Sequence, residues 1–141
     1  MATSSSIQKL IHNARILESN GTHRHSIIWL HGFGDSADGA KGLFTSMQLP
    51  HTRVILPNAP TKWVTIQGCR YHVQSWYEHD ETAIEKGLQL LESIKELVDD
   101  EVKLVGNASH IIIGGFRYFP FCSIETIPIF IFLVKVLVLH Y

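Results

Sequence analysis

A chain of 141 residues with 45 % hydrophobic and 18 % charged content has the size and composition of one soluble globular domain, which excludes an intrinsically disordered polymer. Its 12 Lys and Arg against 13 Asp and Glu leave a formal net charge of −1, so no global electrostatic footprint argues for nucleic acid or an anionic membrane as partner. Two cysteines, Cys69 and Cys122, with no Cys-x-x-Cys pair exclude a disulfide scaffold, and residues 1–6 show neither the basic nor the apolar region of a secretory signal, so a cytoplasmic protein is expected.

Along the chain, residues 12–17 are a candidate edge strand. Residues 26–31 (Ser-Ile-Ile-Trp-Leu-His) form a continuous apolar run ending at Gly32, too short for a helix and suited to a strand buried on both faces. Residues 53–56, closed by Pro57, read the same way. A third run, residues 110–113, precedes Gly114-Gly115. Runs without alternation predict a parallel sheet with helices on its faces. The covering helix is predicted over residues 82–98, where Thr82-Ala83-Ile84-Glu85 makes a capping box and Ile84, Leu88, Leu91, Ile94 and Leu97 fall on one stripe. Gly87 inside that helix costs about 1 kcal/mol relative to Ala, which the stripe outweighs.

Composition shifts near Phe116. From residue 119 to 139 the chain is almost wholly Phe, Ile, Leu, Val and Pro, interrupted by Cys122, Ser123, Glu125, Thr126 and Lys135. Residues 127–139 contain Pro128 and Lys135 and fall short of the roughly 20 apolar residues a spanning helix needs, so membrane contact through the tail is the minor reading. These residues are also those of thymine-rich codons, which fits read-through of a retained intron. An apolar, β-rich run of this kind is an aggregation hazard.

Four landmarks occur in order: His31-Gly32-Phe33-Gly34-Asp35-Ser36 after a buried strand, Leu56-Pro57-Asn58-Ala59-Pro60, Ser75-Trp76-Tyr77, and His110-Ile111-Ile112-Ile113-Gly114-Gly115-Phe116. Together they resemble the acyl-protein thioesterase and carboxylesterase family of serine α/β-hydrolases, over roughly residues 15–116. The resemblance implies the N-terminal half of an α/β-hydrolase domain in residues 1–116, a parallel sheet with flanking helices, followed by a non-family apolar tail in residues 117–141. It also implies an acyl ester or S-acylated protein as substrate, with no cofactor or metal.

Family members place an oxyanion donor in the first turn, which points to the main-chain N–H of Phe33, because small residues let the backbone approach a developing oxyanion. Trp76 falls where the family lines the approach to the acyl group. The family then continues Gly-Phe-Ser-Gln-Gly-Gly, the nucleophile elbow, whereas this chain has Gly115-Phe116-Arg117-Tyr118-Phe119-Pro120. Arg117 occupies the serine position, and a guanidinium has no lone pair with which to attack an acyl carbon. Tyr118 falls where the second oxyanion donor belongs, and the acid and histidine of the family's triad have no counterpart. No catalytic residue is therefore assigned, and the chain is expected to be inactive. Alternatives are a noncatalytic acyl- or partner-binding fragment and an unstable product.

Other readings of the same residues are simpler. Gly32-Phe33-Gly34-Asp35-Ser36-Ala37 satisfies a loose dinucleotide pattern, but the acidic residue expected about 20 positions later is missing. His23, His25 and His31 are close in sequence without metal-ligand spacing, so the first two are assigned to a solvated turn. His31 is expected to pack beneath the Gly32 turn and hydrogen-bond its backbone. Trp29 is expected in the core, Asp35 as a helix cap, and Cys69 in a loop as an inert thiol.

Overall fold

A computed structural model describes residues 13–76, 83–115 and 134–135. In chain order the elements are β1 (Arg15–Leu17), β2 (Asn20–Leu30), α1 (Ala37–Met47), β3 (Pro50–Leu56), β4 (Thr61–Ile66), β5 (Cys69–Gln74), α2 (Ala83–Val105), a 3-10 turn (Ala108–His110), β6 (Ile111–Gly115) and β7 (Val134–Lys135). The principal sheet has the order β1-β3-β2-β6-β7, and β4 and β5 form a separate two-stranded sheet.

The three apolar runs become the three central strands, β3, β2 and β6, and both of their pairings are parallel. The flanking pairings, β1 with β3 and β6 with β7, are antiparallel. The sheet is therefore mixed, and its parallel character is confined to strands covered on both faces, as the absence of alternation requires. Residues 15–17 form the expected edge strand, shorter than the candidate segment 12–17.

Side chains leave each strand alternately toward two apolar clusters. On one face Trp29, Val54 and Leu56 meet Ala37, Ala40 and Phe44 of α1, with Trp29 and Phe44 edge to face at 5.3 Å. On the other face Ile28, Ile55 and Ile111 meet Leu97 and Val98 of α2, supported by Ile94, Val102 and Val105. Each fully buried aliphatic side chain contributes about 1.5–3 kcal/mol. β6 passes close beside β2 because Gly114 has no side chain: a Cβ there would sit 2.7 Å from the Trp29 ring.

α2 extends beyond the predicted 82–98 to Val105, and its buried stripe is displaced along the helix. Leu97 is 5 % exposed, but Leu88 and Leu91 are 58 % and 62 % exposed. The apolar sheet positions Ile28, Ile55 and Ile111 are covered by residues 94–105, which leaves the two leucines no apolar surface among the described residues. Thr82 of the capping box lies outside the described residues.

A buried carboxylate interrupts the α2 stripe. Glu101 is 3 % exposed and accepts from Arg53 Nη1 of β3 at 2.8 Å and from the Ser26 hydroxyl of β2 at 2.7 Å. The Ser26 oxygen in turn lies 2.7 Å from His23 Nε2. A buried carboxylate is tolerable only with such partners.

The β4–β5 hairpin corrects one expectation. Cys69 begins a strand rather than lying in a loop, although it is exposed and free. The hairpin itself is an element the apolar pattern did not indicate. Its two-residue turn has positive φ at both Gln67 (49°) and Gly68 (79°), as a type I′ connection requires.

Candidate active site

β2 and β6 run parallel, with Leu30 opposite Gly115, so both deliver the chain to the same end of the sheet. In open α/β sheets the carboxyl ends of the strands are where ligands bind. β2 emerges there into residues 31–36. Asp35 N–H donates to Gly32 C=O at 3.1 Å, and Gly34, third in this four-residue turn, has φ of 74°. Positive φ at that position is the type II requirement, which glycine meets without steric cost.

The turn is held from several directions. Gly34 N–H donates to Gln74 C=O at the end of β5, 2.9 Å away. Trp76 Nε1–H donates to His31 C=O at 2.8 Å, and the two rings lie 5.1 Å apart. Asn58 accepts from Ala37 N–H at 2.8 Å and donates to Asn13 C=O at 2.5 Å, tying the entry of α1 to the segment after β3. Ser36, not Asp35, caps α1: its side chain accepts from Gly39 N–H at 3.4 Å. Asp35 instead accepts from Ser36 N–H at 2.8 Å, and a Cβ on Gly39 would lie 2.1 Å from the Asp35 carboxylate.

His31 sits under the turn, 1 % exposed. Its Nδ1–H donates to Gly32 C=O at 2.8 Å, and its Nε2 accepts from Ala59 N–H at 2.9 Å. Both nitrogens are engaged, so the ring is the neutral Nδ1–H tautomer and has no lone pair left for a general base. Burial pushes its pKa below the ordinary imidazole value, with the Gly32 carbonyl and Asp35 acting in the opposite direction. His31 therefore props the turn, as its place in the sequence suggests.

Phe33 lies at the second position of the turn, and its N–H makes no hydrogen bond to another described residue. A main-chain donor held on a braced turn at this end of the sheet is suited to a developing oxyanion, because it needs no reorganisation at the moment of reaction. Trp76 is half-buried against the same turn. Ser36 is engaged as a cap, and Ser75 is 0 % exposed. Arg117 and Tyr118 lie outside the described residues, as do Tyr77 and Phe116.

The structure separates the histidines grouped by sequence. His23 joins the Ser26–Glu101 network, His25 contacts His110 with ring centroids 4.9 Å apart, and His31 is under the turn. The bracing roles of Asn58 and Gln74 were not evident from sequence. Asn58 stands within the Leu56-Pro57-Asn58-Ala59-Pro60 landmark, but its pairing with Ala37 depends on the strand crossover. Gln74 contributes only a carbonyl, which any residue carries.

Comparison with known proteins follows the same segment. The profile of the Phospholipase/Carboxylesterase family matches residues 11–118. Acyl-protein thioesterase 1 homolog 1 of Dictyostelium discoideum is 31 % identical, over 85 % of this chain and 57 % of its own length. Acyl-protein thioesterase 1 of Schizosaccharomyces pombe is 32 % identical, over 74 % of this chain and 49 % of its own length. The crystal structure of Zea mays acyl-protein thioesterase 2 matches with a TM-score of 0.50 at 24 % identity, covering 74 % of this chain and 45 % of that one. The chain thus spans about half the length of the curated relatives it matches, and the α/β-hydrolase sheet with flanking helices is present as its N-terminal half.

Proposed function

Because the chain belongs to the Phospholipase/Carboxylesterase family, we propose that residues 31–36 are the oxyanion half of a carboxylic-ester or S-acyl thioester hydrolase site, in a chain that does not itself turn over. The observation that carries the first part is the N–H of Phe33, without a partner among the described residues, on a turn braced by Gln74, Trp76 and His31. Trp76, beside that turn, is the proposed wall of the acyl approach. The second part rests on Arg117 at the position where the serine nucleophile belongs, followed by Tyr118 at the second donor position. The proposed substrates are acyl esters or S-acylated proteins, in keeping with relatives named acyl-protein thioesterases. Residues 117–141 are proposed to lie outside the hydrolase unit, and the proposed compartment is the cytoplasm.

The test uses a fluorophosphonate probe and a short-chain p-nitrophenyl ester. The native chain is expected to remain unlabelled, since losing such a nucleophile costs on the order of 10⁶ in turnover. Labelling of the native chain would overturn the claim of inactivity. A chimera carrying a relative's sequence from position 117 onward is expected to be labelled and to turn over ester. In that chimera Phe33→Pro removes the proposed donor while suiting the second position of a type II turn, and a loss of roughly 10²–10³ in kcat is expected. An unchanged kcat would remove Phe33 from the oxyanion site.

A further inference from the structure

Two histidines meet at the end of the sheet away from residues 31–36. Ser26 of β2 is paired with Ile111 of β6, and the residues immediately before them, His25 and His110, have ring centroids 4.9 Å apart and planes at 49°. His25 shares a face of β2 with Ile27 and Trp29, yet it is exposed, and His110 is half-buried. His110 Nδ1–H donates to Arg24 C=O at 3.1 Å, which fixes the tautomer and leaves the ring's lone pair on Nε2. A main-chain carbonyl on the far nitrogen is how metal-ligating histidines are commonly oriented. An ion bound to imidazole lies about 2.1 Å from the nitrogen and so about 3.2 Å from the ring centre. Two rings on one ion with centres 4.9 Å apart therefore subtend about 100° at it, between the angle of a square or octahedral site and that of a tetrahedral one.

We propose that His25 and His110 together chelate one divalent transition metal of the nickel, copper and zinc group, the ions that imidazole suits. No group of three His, Cys, Asp or Glu able to hold an ion is gathered among the described residues, so water fills the other coordination positions. The sequence gave no sign of the pair, because His25 and His110 belong to strands that become neighbours only in the folded sheet. The ion would join the start of β2 to the start of β6, the last of the three central strands. His31 lies a strand length away, about 20 Å, so this site is separate from the turn proposed for the hydrolase. The proposal goes beyond that reading, and its test requires no turnover.

The full chain is titrated with nickel chloride, and with magnesium chloride as a hard cation that prefers oxygen. Nickel is chosen because the exposed, free Cys69 would reduce copper. Calorimetry measures affinity, and the paramagnetic ion shows its location by broadening nearby NMR signals. With 9 histidines in the chain, the first ring signals to broaden are expected to be those of His25 and His110, and magnesium is expected to broaden none. His25→Ala and His110→Gln are each expected to weaken the tight site about 10²-fold, the advantage of a second ligand already in place. The double variant is expected to lose little more, since one imidazole alone binds like any surface histidine. His51→Asn, at a position of positive φ that asparagine tolerates, is expected to bind as the parent does. Saturating nickel should raise the melting temperature of the parent and not of the double variant. Circular dichroism checks folding, and the broadening in the parent stands where a variant does not fold. Broadening that begins at other histidines, or single variants that bind as tightly as the parent, would leave the pair an ordinary ring contact and overturn the proposal.

Discussion

His31 engages both ring nitrogens with the backbone, one with Gly32 in its own turn and one with Ala59 across the sheet end. His31→Ala would strand the Ala59 N–H and leave a cavity, a loss of about 2–4 kcal/mol by urea unfolding at neutral pH. The pH dependence follows from the lowered pKa, whose main cause is burial. The folded chain binds fewer protons at this site than the unfolded chain, so acid favours unfolding. The site's contribution is complete above the ordinary value of 6.5 and declines as pH falls from there toward the lowered folded-state value. The destabilisation by His31→Ala is therefore expected to be smaller at pH 5.5 than at pH 7.5. His31 could be placed from sequence because it directly ends a buried run and precedes Gly32. Asn58 could not, because its partners Asn13 and Ala37 stand 45 and 21 positions away.

At the scale of elements, α2 is fixed to the sheet by one buried carboxylate as well as by its apolar stripe. Without Glu101, Arg53 keeps only the exposed Glu18, 3.5 Å away, so Glu101→Ala is expected to cost about 3 kcal/mol in denaturant unfolding, whereas Arg53→Met with Glu101→Leu is expected to cost far less. A double-mutant cycle measures the difference as a coupling energy. The sequence shows Glu101 only as an acidic residue near a helix end; its burial is decided by Arg53 and Ser26, on two other strands. α1 left a faint trace because its buried residues, Ala37, Ala40 and Phe44, include two small ones. The hairpin escaped notice because its paired residues, Trp63 with His72 and Thr65 with Arg70, are polar or exposed and follow no core-facing alternation.

Across the whole molecule, the central strands and the long helix were legible because continuous apolar runs and a 3.6-residue period reflect burial directly. Pairing direction at the edges was not: residues 15–17 could be placed as an edge strand, but the antiparallel pairing of β1 and β7 depends on how distant segments return. Net charge is likewise a total: −1 averages a hairpin with Lys62 and Arg70 and no Asp or Glu with acidic stretches elsewhere. The turn half of the site was legible through its glycines, while the bracing that makes it rigid emerged only once β5 and the segment after β3 were in place.

The exposed leucines of α2 have a consequence on the timescale of local opening. Residues 94–105 are clamped to the sheet, whereas around Leu88 and Leu91 the helix rests chiefly on its own backbone hydrogen bonds, which alone are marginal in water. Amide hydrogen exchange should therefore form a gradient along this single helix. Amides near Leu97 and Val98 are expected to exchange only through opening of the whole domain, and those near Leu88 and Leu91 through fraying that leaves the sheet intact. Denaturant should accelerate the first group and leave the second nearly unchanged. Equal protection along the helix would mean that the leucines are covered in solution.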